Sequence, residues 1–271
     1  MSVQLVYWGI YPGTSEANAY WTDTAGGLDT VLHFDGLDFD AGAGPLDLGS
    51  NYFLDAERHR VQRSYDVHNI ELNLLGHNFT TGCGPLQLGW TAGVRYLRFD
   101  EEFLYSSAPY ATVFTGAAEE VHYAIDVENN WIGFQIGGRA DYCVGSRLSL
   151  FSNTKVGIYG NHMSQHSRIY GEYGQANVGD PGSPYVGQAV DITSKKDAFS
   201  MIGDLSIGAN WCISPCWTIT AGYRAVAVNG VALSTNQVPV DYISALDSIR
   251  AVNSNGCLIL HGAFAGINYC Y

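Results

Sequence analysis

The stretch LQLGWTAGVRYLRF, residues 86–99, most narrows what this chain can fold into. One face takes Leu86, Leu88, Trp90, Ala92, Val94 and Tyr96, and the other takes Gln87, Gly89, Thr91, Gly93 and Arg95. A period of two sustained over ~10 residues belongs to an extended strand with unlike faces. The split recurs in NWIGFQIGGRADYCV, where Ile132, Phe134, Ile136, Ala140 and Tyr142 oppose Gln135, Gly137, Arg139 and Asp141. It recurs again in FSMIGDLSIGANW and CWTITAGYRAVAV, and more weakly in VHNIELNLL and LSLFSNTKVGIY. With VQLVYWGIY at the start and CLILHGAFAGINYCY at the end, the pattern predicts strands near 2–10, 66–78, 86–99, 129–143, 147–160, 199–212, 216–229 and 257–271.

Polarity decides which face points where. The second faces are rich in Gly, Thr and Asn and carry Glu71, Arg95, Arg139, Asp141, Lys155, Asp204 and Arg224. An apolar core would penalise such charges by several kcal/mol each unless they were paired. The apolar faces are therefore expected to point outward and the charged ones to line an interior. No run approaches the ~18 apolar residues of a spanning helix, so a membrane would have to be crossed by strands. Short turns at TTGCGP, YCVGSR and CISPC alternate with long stretches at 12–65, 101–128, 163–198 and 230–256. That alternation is the habit of outer-membrane barrels. Only 14% of residues are charged, against roughly 25% in ordinary soluble domains. A net charge of −13 argues against nucleic acid as a partner. The expected fold is an all-β, transmembrane, antiparallel up-and-down barrel, one domain over 1–271, set in the lipid of a bacterial outer membrane.

Hairpin register ties charges together. A CISPC turn centred on Ser214 would set Asp204 opposite Arg224 and Cys212 opposite Cys216, and the TTGCGP turn would bring Glu71 near Arg95. Opposite charges across a strand pair favour that pairing. Two functions stay in play: porin-like passage of small solutes along a polar lumen, or a plugged structural or surface-interaction barrel, since an eight-stranded interior is just filled by side chains. A secreted soluble β-sandwich binding protein is the third reading, disfavoured by the charged faces. Of six cysteines, Cys83, Cys143, Cys212, Cys216 and Cys270 gather at the short-turn end and Cys257 lies at the other. In an oxidising compartment they suggest bridges between Cys83 and Cys143, and between Cys212 and Cys216 or one of these and Cys270. No catalytic residue, metal or cofactor is expected: His162 and His166 fall in a predicted loop, and Asp35, Asp38 and Asp40 lack the Gly and Glu positions of a calcium loop. Trp8, Trp90, Trp131, Trp211 and Trp217, with several tyrosines, are expected to form interfacial girdles.

The segments YWGIYPG (7–13), VLHFDGLDF (31–39), HNIELNLL (68–75), GVRYLRFDEEF (93–103) and the closing LILHGAFAGINY resemble a porin-like family of outer-membrane β-barrel proteins abundant in planctomycete bacteria. The resemblance implies a barrel and no catalytic residues. Members of that family are longer at the N-terminus, with an export signal and further strands, so the eight strands here either close alone or form part of a larger barrel. Ile267, Tyr269 and Tyr271 share the outward face of the last strand. A terminal aromatic in that place resembles the signal read by the barrel-assembly machinery, which makes that machinery an expected partner. Oligomeric state is not legible from the sequence.

Overall fold

A computed structural model describes residues 1–21, 26–32, 34–39, 47–77, 85–109, 113–116, 120–239 and 246–269. Eight long strands dominate it: β1 (Ser2–Tyr20), β2 (Arg58–His77), β3 (Leu86–Ala108), β4 (Val121–Cys143), β5 (Leu148–Gly171), β6 (Asp191–Cys212), β7 (Trp217–Val231) and β8 (Gly256–Tyr269). They join in sequence order into one antiparallel sheet. The sheet curls into a half-barrel so far that Arg224 on β7 reaches Glu71 on β2 and stacks over the Trp8 ring on β1. β1 and β8 are its edges and do not pair with each other. Most positions of both edge strands are exposed on both faces.

The strands run well beyond the predicted ends. Residues 58–65, 101–108, 121–128, 163–171 and 191–198 were expected in loops and are strand instead. The reason lies in a swap of polarity between the faces. On β4 the convex face reads Ile132, Phe134 and Ile136, all strongly exposed, and then turns to Asn130, Glu128 and Asp126. The concave face makes the opposite change, from Gly133, Gln135 and Gly137 to Val127, Ile125, Tyr123 and Val121. Backbone alternation never breaks; only its chemical meaning reverses.

The switch falls on one register row across five strands. Ile70, Tyr96, Ile132, Gly160 and Phe199 are aligned, and one step further the aligned residues are His68, Arg98, Asn130, His162 and Asp197. Toward the short turns the convex surface is an apolar band, 11 residues long on β4 from Ile132 to Tyr142. A tilted strand needs about that length to cross a hydrocarbon layer. Toward the long connections the convex surface is charged, with His162 paired to Asp197 at 2.7 Å, His166 to Asp191 at 2.5 Å and Arg168 to Asp126 at 3.3 Å. His162 and His166 thus lie on a strand, each with a carboxylate, and not in a loop.

The connections fold over the concave side at that charged end. Leu37–Phe39 pairs with Asp47–Leu48 and with Asn177–Val178, so the β1–β2 and β5–β6 connections share a small three-stranded sheet. Phe34, Leu37, Phe39, Tyr52 and Phe53 from the first connection, Ala176, Val178 and Val190 from the second, and Leu246, Ile249 and Val252 from the β7–β8 connection pack on Tyr105, Tyr123, Ile125, Val127 and Met163 of the strands. Phe34 and Phe53 stack with centroids 3.7 Å apart. This is an ordinary buried apolar core, built inside the curl of a sheet.

Candidate functional site

The middle of the concave side holds a charged layer. Glu71 on β2 is its hub. Arg95, directly opposite on β3, donates to Glu71 at 2.7 Å, Arg224 at 3.0 Å and Lys155 at 2.5 Å. Asn69, Gln135 and Asn73 add hydrogen bonds to the same carboxylate at 3.0, 2.9 and 3.3 Å. Asp204 on β6 takes Arg224 through Nε at 3.1 Å and Nη2 at 2.5 Å, pairs with Arg95, and lies 3.4 Å from Lys155. Glu71, Arg95, Lys155 and Asp204 are buried, and Arg224 keeps 24% of its side chain exposed. Such a cluster survives burial because each Glu71 oxygen is met by three donors and the Asp204 carboxylate is met by Arg224, Arg95 and Lys155.

Five of the seven charges singled out in the sequence therefore meet in one network. The other two, Arg139 and Asp141, pair with each other at 2.6 Å nearer the short turns, lining a cavity of about 330 Å³ with Gln87, Thr91, Cys143 and Ser149. The Glu71–Arg95 register is as expected. The second hairpin is wider: Asp204 faces Val226, Ser206 faces Arg224 and Cys212 faces Thr218. A two-residue shift keeps every side chain on its face, so Arg224 still reaches Asp204 diagonally. It also separates Cys212 from Cys216. Cys143, Cys212, Cys216 and Cys257 are exposed free thiols, so the expected bridges involving them are not formed; Cys83 and Cys270 lie outside the described residues.

Above the charged layer sits an apolar one. Val67, Leu97, Phe99, Trp131, Tyr159, Ile202, Val226 and Val228 are all buried, with Trp8, Leu258 and Leu260 packed against them. Trp131 and Trp8 thus point inward, contrary to the girdle expected of them, whereas Trp211 and Trp217 are exposed near the short turns. The Tyr159 ring lies across Gly133 and Gly157, where any Cβ would collide with it and with the neighbouring backbone. Its hydroxyl donates to Gln135 at 3.3 Å and so links the apolar layer to the charged one.

The cap is tied down by polar side chains that periodicity could not single out. Asn129 donates to the Ala232 carbonyl at 2.8 Å and accepts from the Ala232 N–H at 2.9 Å. Glu101 accepts from the Ser234 N–H at 2.7 Å and pairs with Arg63. Gln165 and Ser194 both donate to the Ile249 carbonyl, at 3.1 and 3.2 Å. The available signal was a polar residue at an inward position of a strand, in each case facing a long connection.

Ile267 and Tyr269 lie exposed on the convex face of β8, with Tyr269 packed on Trp217 at 4.8 Å; Tyr271 is outside the described residues, as is Asp40. Among the described residues no group of three or more His, Cys, Asp or Glu could hold a metal ion. Among the described residues no helix is long and apolar enough to cross a membrane.

No curated protein and no solved structure matches the chain significantly. The family model described as "Putative beta barrel porin-7 (BBP7)" matches residues 53–255, a segment that contains β2 to β7, the charged layer and the tethers of the cap. The chain belongs to this porin-like β-barrel family.

Proposed function

We propose that this protein is an outer-membrane barrel with a plugged interior, serving as a structural or surface-interaction element of the cell envelope. The observation that carries the reading is the filling of the concave side: charged layer, apolar layer and loop cap follow one another along the axis. Eight strands leave an interior that side chains occupy, and aqueous channels belong to wider barrels. The outer-membrane setting is supported by the porin-like family, the convex apolar band and short turns at one end with long connections at the other. On this reading lipid is the partner of the band, the capped end faces the medium, and no catalytic step is assigned.

Porin-like passage is the second reading. It is favoured by the two edge strands, which do not pair with each other and are exposed on both faces, as they would be if further strands widened the barrel. Single-channel recording in planar bilayers separates the two. The plugged barrel gives no steady conductance step; reproducible open levels from the purified protein would sink it in favour of the pore.

A further inference from the structure

The seam between β1 and β8 holds a cleft of about 520 Å³, within the usual range for small-ligand sites. Its walls include Trp8 and Ile10 from β1, Arg224 and Val226 from β7, and Leu260 and Phe264 from β8. Charge in the adjoining layer does not cancel. Arg95, Lys155 and Arg224 supply three positive charges against two negative ones from Glu71 and Asp204. Arg224 is the most exposed of the five and the one that lines the cleft. It bonds through Nε and Nη2, and among the described residues its Nη1 donates to nothing. Trp8, stacked 5.0 Å from the Arg224 guanidinium, has a buried indole N–H that finds no acceptor among the described residues. One surplus cation, two unmet donors and apolar walls therefore meet where the sheet is not closed.

We propose that this seam binds a long-chain carboxylate, a free fatty acid, with its head group on Arg224 and its alkyl chain along Val226, Leu260 and Phe264 toward the gap between β1 and β8. A monoanion matches the single excess charge, and an alkyl chain matches the rest of the cleft. This goes beyond the plugged-barrel reading, because a barrel silent in bilayers is compatible with an occupied or an empty seam.

The test is a titration of cis-parinaric acid, a fluorescent fatty acid, into the full chain in neutral maltoside micelles, read by energy transfer from tryptophan. One saturable site per chain is expected, with the methyl ester at least tenfold weaker. Arg224→Gln should weaken the acid at least tenfold. Gly262→Leu keeps the test independent of the charged layer: Gly262 lines the cleft, and an added Cβ there meets nothing within 4 Å. That variant should abolish saturable binding while keeping wild-type heat-modifiable gel mobility. Equal affinity for acid and ester, or undiminished binding in Gly262→Leu, would overturn the proposal. So would a seam filled by β1–β8 pairing or by a second copy, either of which would show as binding that never saturates.

Discussion

The two ends of the sheet are built from the same strands with opposite chemistry. Toward the short turns the outside is apolar and the inside polar, centred on Glu71 and Arg95; toward the long connections the outside is charged and the inside is a core of Phe34, Phe53, Tyr123 and Met163. The first half carries the polarity of a protein immersed in lipid, and the second that of a protein immersed in water. The polarity of each half is set by which face is apolar, while backbone pairing continues unchanged across the join. The halves should also fail differently. In the apolar-coated half stability hangs on satisfied charge, and in the polar-coated half on packed area.

The sharpest way to break that contrast is Glu71→Ala. It would leave Arg95, Lys155 and Arg224 facing Asp204 alone in a buried layer. Uncompensated buried charge costs about 3–5 kcal/mol. Thermal unfolding followed by circular dichroism, with heat-modifiable mobility alongside, should show loss of the whole sheet. A variant as stable as the parent would mean the network is dispensable.

Phe53→Ala should cost about 3 kcal/mol, the usual range for emptying a buried aromatic site, but in the cap alone. Phe53 is fully buried between Phe34 and Tyr105. Limited proteolysis should cut between residues 26 and 56 while heat-modifiable mobility stays unchanged. If the sheet unfolds together with the cap, the halves are not separable.

Acidification should have the smallest effect of the three. Burial holds His59 and His122, both at the polar-coated end, below the usual imidazole value; the Phe53 backbone and Asp29 oppose this at His59, and Glu120 opposes it at His122. The folded state therefore prefers both neutral, and the unfolded chain binds more protons just below its own value of about 6.5. Their contribution is complete above that value and is lost as the pH falls through the lowered folded values. Between pH 7.5 and 5.5, hydrogen-exchange protection, after allowance for the intrinsic slowing of exchange toward acid, should fall in residues 28–32, 47–56 and 232–239 and stay constant in 132–142. Equal loss of protection in both regions would remove the contrast.

The apolar-coated half was legible in the sequence because period two coincided there with an unambiguous sorting of Leu, Ile, Trp and Phe from Gly, Thr and charge. Glu71 opposite Arg95 followed from one turn and the same alternation. The upper half was misread as loop because the sorting reverses around Asn129 and Asn130, two adjacent polar residues that face opposite sides. Val121, Tyr123, Ile125 and Val127 still alternate with His122, Asp126 and Glu128, but on the phase opposite to Ile132 and Phe134. The cap was illegible for another reason: Phe34, Phe53 and Ile249 have no periodicity of their own, and their burial depends on strands distant in sequence. The cysteines misled because a turn two residues wider than supposed leaves their faces unchanged and their partners different.

In the proposed membrane setting, the aligned row His68, Arg98, Asn130, His162 and Asp197 would set an immersion depth. Sinking by one more pleat would drag ionised and hydrogen-bonding side chains into hydrocarbon, and rising by one would wet Tyr96, Ile132 and Phe199. Beyond that waterline the strands still continue by some ten residues, about 30 Å of backbone before tilt at 3.3 Å each. In that setting they would form a stiff pedestal, and whatever the cap touches would be met at that standoff rather than at the lipid surface.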